Sequence, residues 1–472
     1  MVTLLIEKLN KLFFEGLPKN RKIDYIDAFI VFTLSIIFFN YFYKHIILYS
    51  HPDIGWIGNL IYRNPLQSLQ NQSYKLGWQS GWEFHYSPFL SIISLLSFLW
   101  PFGAIKWLSL FFTLQVVLIY YPVLRIVQRF FIHKGTIKEK ILTNALAIPL
   151  SLGGSITGSL LFPHYELYQV AFFTWVFYGI LLSNKLIVLV SSFLFLSVRE
   201  DSFLYAGVII LILGVILRAK AFYLAAAVVL LVFLLQLFSR QLLFDTPSIF
   251  KTDYLGDPTL SHINLSHFLT RGELIIKNNY PIFMTFYLIL FVGIWQFNKS
   301  VLLNSFILIP LLLMGMFSFS PTKGSFSLYY SIPFFYIYFP NILLILRANL
   351  IRFQRVFCFF ICMALTLSIP QNNFYILQVA STKIPPGYSE KAFKGALRDA
   401  IFLGYPVDST MYAYGPELMN HDMLFSLGTP VTRCIVVPNF KVALYIEKSS
   451  NLLQTKFKDY EQFYTLCPTQ EN

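Results

Sequence analysis

Apolar stretches, most of them close to the length of a bilayer-crossing helix, follow one another from Tyr25 to Ile369, and most charged residues lie in the breaks between them. The breaks are of two kinds. Asp53, Glu83, Glu166, Glu200, Asp201, Asp245, Asp253, Asp257 and Glu273 occupy one alternate set. Basic clusters occupy the other: the N-terminal arm, Arg125 to Lys140, Lys185, Arg218 with Lys220, Lys299, and Arg347 to Arg355; between Ala28 and Pro370 one acid, Glu139, joins them. Charge sorted in this way marks a polytopic membrane protein whose basic loops face the cytoplasm. The acidic, histidine-containing face then points outward, and chemistry is sought there.

Only 12% of the 472 residues are charged and 56% are hydrophobic, against about 25% charged in a soluble domain. The net charge of +13 is not a nucleic-acid signature, because the basic residues sit at the ends of apolar spans. Gln371 to Asn472 carries as many acids as bases, so the excess belongs to the membrane part. Met1 to Lys22 mixes both signs and has no small-residue cleavage site, so the first span is expected to remain as an anchor with the N-terminus inside. Cys358 and Cys362 lie one helical turn apart in a span and read as packing residues. Cys434 and Cys467 fall in the outward C-terminal segment, where a disulfide is permitted but not required.

The charge rule also sets the path of the chain. Tyr25 to Leu48 is the first span, followed by a polar loop, Tyr49 to Ser87. Pro88 to Trp100 is apolar but only 13 residues long, whereas Ile105 to Leu124 is full length and stops at Arg125. If both crossed, Arg125 to Lys140 would lie outside; a juxtamembrane or re-entrant helix at 88–100 keeps it inside. Leu142–Phe162, Leu167–Leu182, Leu186–Val198, Phe203–Leu217, Phe222–Phe238, Phe283–Phe297, Val301–Phe319, Leu328–Leu346 and Phe357–Ile369 then alternate in direction, with Ser239 to Tyr280 as a long external loop. The expected fold class is an all-α polytopic membrane domain, residues 1–370, with about eleven spans. A small extracytoplasmic α/β domain, residues 371–472, is expected to follow, with a helix at Glu390–Leu403 and strands at Thr410–Tyr414, Arg433–Val437 and Val442–Glu447.

Four short constellations on the outer side carry candidate chemistry. Asp53, in His51-Pro52-Asp53-Ile54-Gly55-Trp56, lies just past the first span. A carboxylate there suits a general base towards an acceptor hydroxyl, or a ligand holding a divalent metal against a phosphate; equally, Pro-Asp favours a turn. Glu83 and His85, two apart in an extended run, fall on one side. They suit proton sharing or metal ligation, while Ser87 and Pro88 read as an N-cap and first helical residue. His164 and Glu166 repeat the pairing of histidine and acid at the next outer junction, either lining a polar cavity or sitting in an aromatic interfacial belt. Arg199-Glu200-Asp201 places three ionisable groups between two apolar stretches, where they must pair, face water or bind something. Lys323, in a small outer turn, is a candidate phosphate contact or a plain surface residue.

Asp53-Ile54-Gly55, His85-Tyr86-Ser87-Pro88, His164-Tyr165-Glu166, Arg199-Glu200-Asp201 and Leu328-Tyr329-Tyr330-Ser331-Ile332-Pro333, in this order, resemble a prokaryotic family of membrane proteins whose shared domain has no assigned function. That family in turn is similar to the C-type glycosyltransferases, which use polyprenyl-phosphate sugars outside the cytoplasm. The resemblance implies Asp53 as the catalytic residue, with Glu83 and Glu200 as further catalytic candidates. His85, His164, Glu166, Arg199, Asp201 and Lys323 would then bind substrate. Many members carry two neighbouring acids, whereas Asp53 stands alone and needs Glu83 or Glu166 as its partner. The implied partners are the bilayer and a polyprenyl-phosphate-linked sugar, with a divalent metal as the candidate cofactor. A flippase using the same charges as a path, and an inactive envelope-assembly protein, are the rival readings.

Overall fold

The structure is a computed structural model. It describes residues 25–48, 57–58, 60–66, 87–131, 136–161, 163–199, 207–217, 220–243, 263–295, 298–326, 328–347, 357, 360–365, 407–409, 434–437, 452–456 and 464–468. The chain divides into two units, Met1–Ile36 with Leu114–Tyr375, and Ile37–Thr113 with Ile376–Asn472.

Helices dominate both. They are α1 (Tyr25–Leu48), α2 (Pro88–Ser97), α3 (Ala104–Phe131), α4 (Ile137–Leu152), α5 (Ser155–Leu161), α6 (Leu167–Leu181) and α7 (Lys185–Val198). There follow α8 (Val208–Leu217), α9 (Lys220–Leu243), α10 (Leu265–Trp295), α11 (Lys299–Ser305), α12 (Leu308–Phe317), α13 (Pro321–Gly324) and, after a 3-10 turn at Leu328–Ser331, α14 (Ile332–Arg347). Among the described residues, four helical stretches are long and apolar enough to cross a membrane, Tyr25–Ile46, Ala104–Phe131, Leu265–Trp295 and Lys299–Phe317, and the bent pair α4–α5 makes a fifth. Five shorter apolar helices accompany them. Large apolar side chains such as Tyr25, Phe29, Phe32, Tyr287, Phe291 and Trp295 are exposed. In water each would forfeit a couple of kcal/mol of burial (about 25 cal/mol per Å²), whereas lipid tails accept them. The protein is a mostly helical, membrane-embedded chain.

In the larger unit, α6 and α7 form a tight antiparallel hairpin. Gly179 lets the two helices close up, because a Cβ there would lie 2.9 Å from Ile187 Cγ2. Asn184 then caps α7 by accepting from the backbone N–H groups of Leu186 and Ile187 at 3.1 and 3.2 Å. The core beside this hairpin is aromatic: Phe173 packs on Phe195 and Tyr336, and Phe177 on Phe222 and Phe339.

Several expected boundaries move, each for a physical reason. α3 continues past Arg125 to Phe131, because Arg125 finds buried partners instead of ending the helix. The expected span Leu142–Phe162 is two helices bent by 69° at Gly153-Gly154. Gly154 has φ +59°, and a Cβ there would lie 2.7 Å from Leu365 Cδ2. Gly154→Ala is therefore expected to cost about 1–2 kcal/mol for the left-handed backbone alone, read as a lower midpoint in thermal unfolding of the detergent-solubilised protein. The external loop expected up to Tyr280 is helical from Leu265, and α10 carries Pro281 and breaks at Asn279 (φ −125°, ψ 18°). Asn279 Nδ2 donates to the Ile275 and Ser325 carbonyls, both at 2.9 Å, which satisfies backbone at the break.

In the other unit, α2 is short, as expected: Phe89, Leu90, Ser94 and Ser97 are buried, while Ile92, Leu95 and Leu96, with Phe98 and Leu99 just beyond the helix, are exposed. The buried serines hold the 60–66 segment, with Ser97 Oγ accepting from Arg63 N at 2.7 Å and Ser94 Oγ from Asn64 N at 2.5 Å. An apolar outer face with serine hydrogen bonds on the inner side suits a helix bordered by lipid. Ser87 stands at the N-cap position and Pro88 at the first turn, but the serine side chain makes no capping hydrogen bond, a correction to the expected cap. The C-terminal part holds strands β1 (Val407–Ser409), β2 (Cys434–Val437), β3 (Leu452–Lys456) and β4 (Tyr464–Pro468) in the sheet order β1-β2-β4-β3. β1–β2 is parallel, and β2–β4 and β3–β4 are antiparallel. Of the three expected strands, Arg433–Val437 coincides with β2; the other two and the helix at Glu390–Leu403 lie outside the described residues.

Candidate functional site

The α6–α7 hairpin determines which charges meet. Its arms have 15 and 14 residues, so at about 1.5 Å per residue their open ends lie level. Glu166 immediately precedes α6 and Arg199 immediately follows α7. The carboxylate therefore sits at a helix N-terminus and the guanidinium at a helix C-terminus, each complementary to the dipole of its own helix. Arg199 Nη1 pairs directly with Glu166 Oε1. Glu166 is 6% exposed and Arg199 7%, so this is a buried ion pair with little water to screen it.

The surroundings are polar and ordered. His164 Nδ1 lies 3.8 Å from Glu166 Oε1, and its ring packs on Tyr165 with 4.5 Å between centroids. Gln115 Nε2 donates to the His164 carbonyl at 3.0 Å. Gln169, one turn into α6, donates through Nε2 to the Arg199 carbonyl at 3.4 Å and accepts from the Tyr336 hydroxyl at 3.5 Å. Four helices, α3, α6, α7 and α14, and the turn before α6 thus hold one acid, one guanidinium and one imidazole together. Such a set can bind an anionic group at Arg199, orient it, and exchange a proton at Glu166 or His164.

Of the residues singled out in the sequence, the structure brings His164, Glu166 and Arg199 together. Lys323 lies on α13, its Nζ 5.6 Å from the Tyr330 ring centroid. Asp53, Glu83, His85, Glu200 and Asp201 lie outside the described residues. Among the described residues no group of three or more His, Cys, Asp and Glu gathers as metal ligands. His164 and Glu166 offer two donors, one of them already paired with Arg199, so these residues alone do not fit a divalent cation.

A second buried network escaped the charge pattern. Asp27, in the first turn of α1, accepts from Asn144 Nδ2 at 3.0 Å, from Gln128 Nε2 at 2.8 Å and from Arg125 Nη1 at 3.4 Å. Arg125 also donates to Gln128 Oε1 at 2.9 Å, and the Tyr120 hydroxyl donates to Asn144 Oδ1. The signal was present: an acid inside an apolar span demands a partner, and Arg125 and Gln128 lie three apart on one face of α3. A third cluster is a helix terminus. Arg271 Nη2 donates to the Ser318 carbonyl at 3.2 Å and His267 Nε2 lies 3.1 Å from the Met316 carbonyl, both at the C-terminal end of α12.

Comparison with protein-family models, with curated proteins and with solved structures found no match.

Proposed function

We propose that the protein is an integral membrane glycosyltransferase resembling the C-type enzymes, transferring a sugar from a polyprenyl-phosphate carrier to an envelope acceptor at the outer face of the cytoplasmic membrane. The observation that carries this reading is the buried Glu166–Arg199 pair with His164 beside it. Burying two charges is costly, and a packing role is met at least as well by apolar residues. A buried guanidinium beside an acid and an imidazole suits a reaction in which a phosphate leaves.

In this reading about eleven spans carry the site, and an outward α/β segment after residue 370 helps choose the acceptor. The carrier enters from the bilayer and its phosphate is drawn to Arg199, which exchanges part of its pairing with Glu166 for the phosphate oxygens. Asp53 takes the proton from the acceptor hydroxyl, whose oxygen attacks the anomeric carbon. The bond from that carbon to the phosphate oxygen breaks with its electron pair leaving on the lipid phosphate, and configuration inverts. Glu83, His85, His164, Glu200, Asp201 and Lys323 line the path.

Two tests address this directly. Asp53→Asn is expected to reduce transfer from a labelled lipid carrier to envelope fractions by at least about 100-fold, the scale of a lost general base, with protein levels unchanged; full activity removes the assignment. For orientation, a cysteine introduced at Lys134 is expected to resist an impermeant maleimide in intact cells. Labelling there overturns the juxtamembrane assignment of α2.

A further inference from the structure

β2 and β4 pair with Ile435 opposite Leu466, Val436 opposite Thr465 and Val437 opposite Tyr464. In an antiparallel pair one residue index rises as the other falls, so the next step of this register sets Cys434 opposite Cys467. Both are strand residues: Cys434 pairs with Val407 of β1 on its other side, and Cys467 with Leu453 of β3. β2 and β4 are also the two central strands of the sheet, so the juxtaposition does not depend on an edge. Directly opposed residues share a sheet face, with Cα atoms about 4.5 or 5.5 Å apart according to the hydrogen-bonding pattern. Disulfides span Cα separations of about 4.4–6.8 Å, so either spacing permits one. Residues 371–472 contain two cysteines, and the register brings those two to one position.

We propose that Cys434 and Cys467 are joined by a disulfide that ties β2 to β4. The proposal rests on the outward placement of the C-terminal segment, because a cytoplasmic segment would stay reduced. The bond forms by thiol–disulfide exchange with an extracytoplasmic protein disulfide. One cysteine thiolate attacks that disulfide, giving a mixed disulfide and releasing one thiol of the oxidant. The second thiolate then displaces the remaining oxidant sulfur, leaving the oxidant as a dithiol that carries away two electrons and two protons.

The full-length protein is tested in native membranes, quenched in acid, denatured and treated with a mass-tagged maleimide before and after reduction. Of the four cysteines, two are expected to take the tag before reduction and all four after it. Cys434→Ser or Cys467→Ser is expected to leave three reactive without reduction. Four tags before reduction overturn the proposal, and diamide treatment of the purified protein then separates the two ways it fails. Formation of the bond with diamide means the register holds but the segment does not face an oxidising compartment, which also removes the outward placement. No bond even with diamide means the register itself does not bring the cysteines together, and the proposed transferase reading stands apart from that result.

Discussion

Arg199→Gln is expected to destabilise the protein by about 3–5 kcal/mol, and Glu166→Gln by a similar amount, because each leaves a buried charge without its partner. Both side chains are under a tenth exposed, so solvent does not take over the lost interaction. The double variant Glu166→Gln/Arg199→Gln leaves neither charge and places two amides where they can hydrogen-bond, so most of the stability is expected to return. Unfolding in detergent, followed by tryptophan fluorescence, reads all three against the wild type. A double variant as unstable as the sum of the singles would mean that the two residues do not act as a pair. A double variant at wild-type stability is the more useful result, since it supplies a folded protein that lacks the charges.

Asp27→Ala is expected to be at least as damaging to the fold, again about 3–5 kcal/mol, since one carboxylate satisfies donors from Arg125, Gln128 and Asn144 at once. Three helices, α1, α3 and α4, lose their shared acceptor. Asp27→Asn is expected to fall between wild type and alanine, because the amide offers one acceptor oxygen in place of two. The folded fraction, measured by fluorescence-detected size exclusion, orders the three. On the proposed reading the two networks separate in activity: transfer per folded molecule is expected to stay within about twofold of wild type for Asp27→Asn, since the carrier phosphate is assigned to Arg199. A loss of the size expected for a catalytic group (about 100-fold or more) would move the functional centre to Asp27.

The residues explain why some of this was legible in the chain and some was not. Helix existence follows from apolar length, so α6 and α7 lie within a residue or so of their expected limits. The short α2 was legible for the same reason, being too short for a crossing. Breaks inside apolar runs were harder. Gly153-Gly154 is a local signal that an average over twenty residues smooths away, and it turned one expected span into a bent pair, while the kink before Pro281 lets one helix run from the expected loop into the expected span. Arg125 was misread because a basic residue at the end of an apolar run ordinarily marks the membrane surface, whereas here an acid 98 positions earlier holds it inside. Pairing at that separation is a property of packing, invisible to any local pattern. The meeting of Glu166 with Arg199 was closer to legible: two helices of nearly equal length joined by a three-residue turn, Leu182 to Asn184, return the chain to its starting level. His164 and Glu166 were paired by sequence proximity, but their convergence on Arg199 needed the hairpin.

The most direct measurement is sugar transfer by purified, folded protein in a lipid bilayer, from a radiolabelled polyprenyl-phosphate sugar to an isolated envelope acceptor. Wild type is compared with the Glu166→Gln/Arg199→Gln double variant at matched folded fraction. The site reading requires transfer by the wild type and a loss of at least about 100-fold in the double variant. Wild-type rates from a folded protein that lacks both buried charges would contradict it.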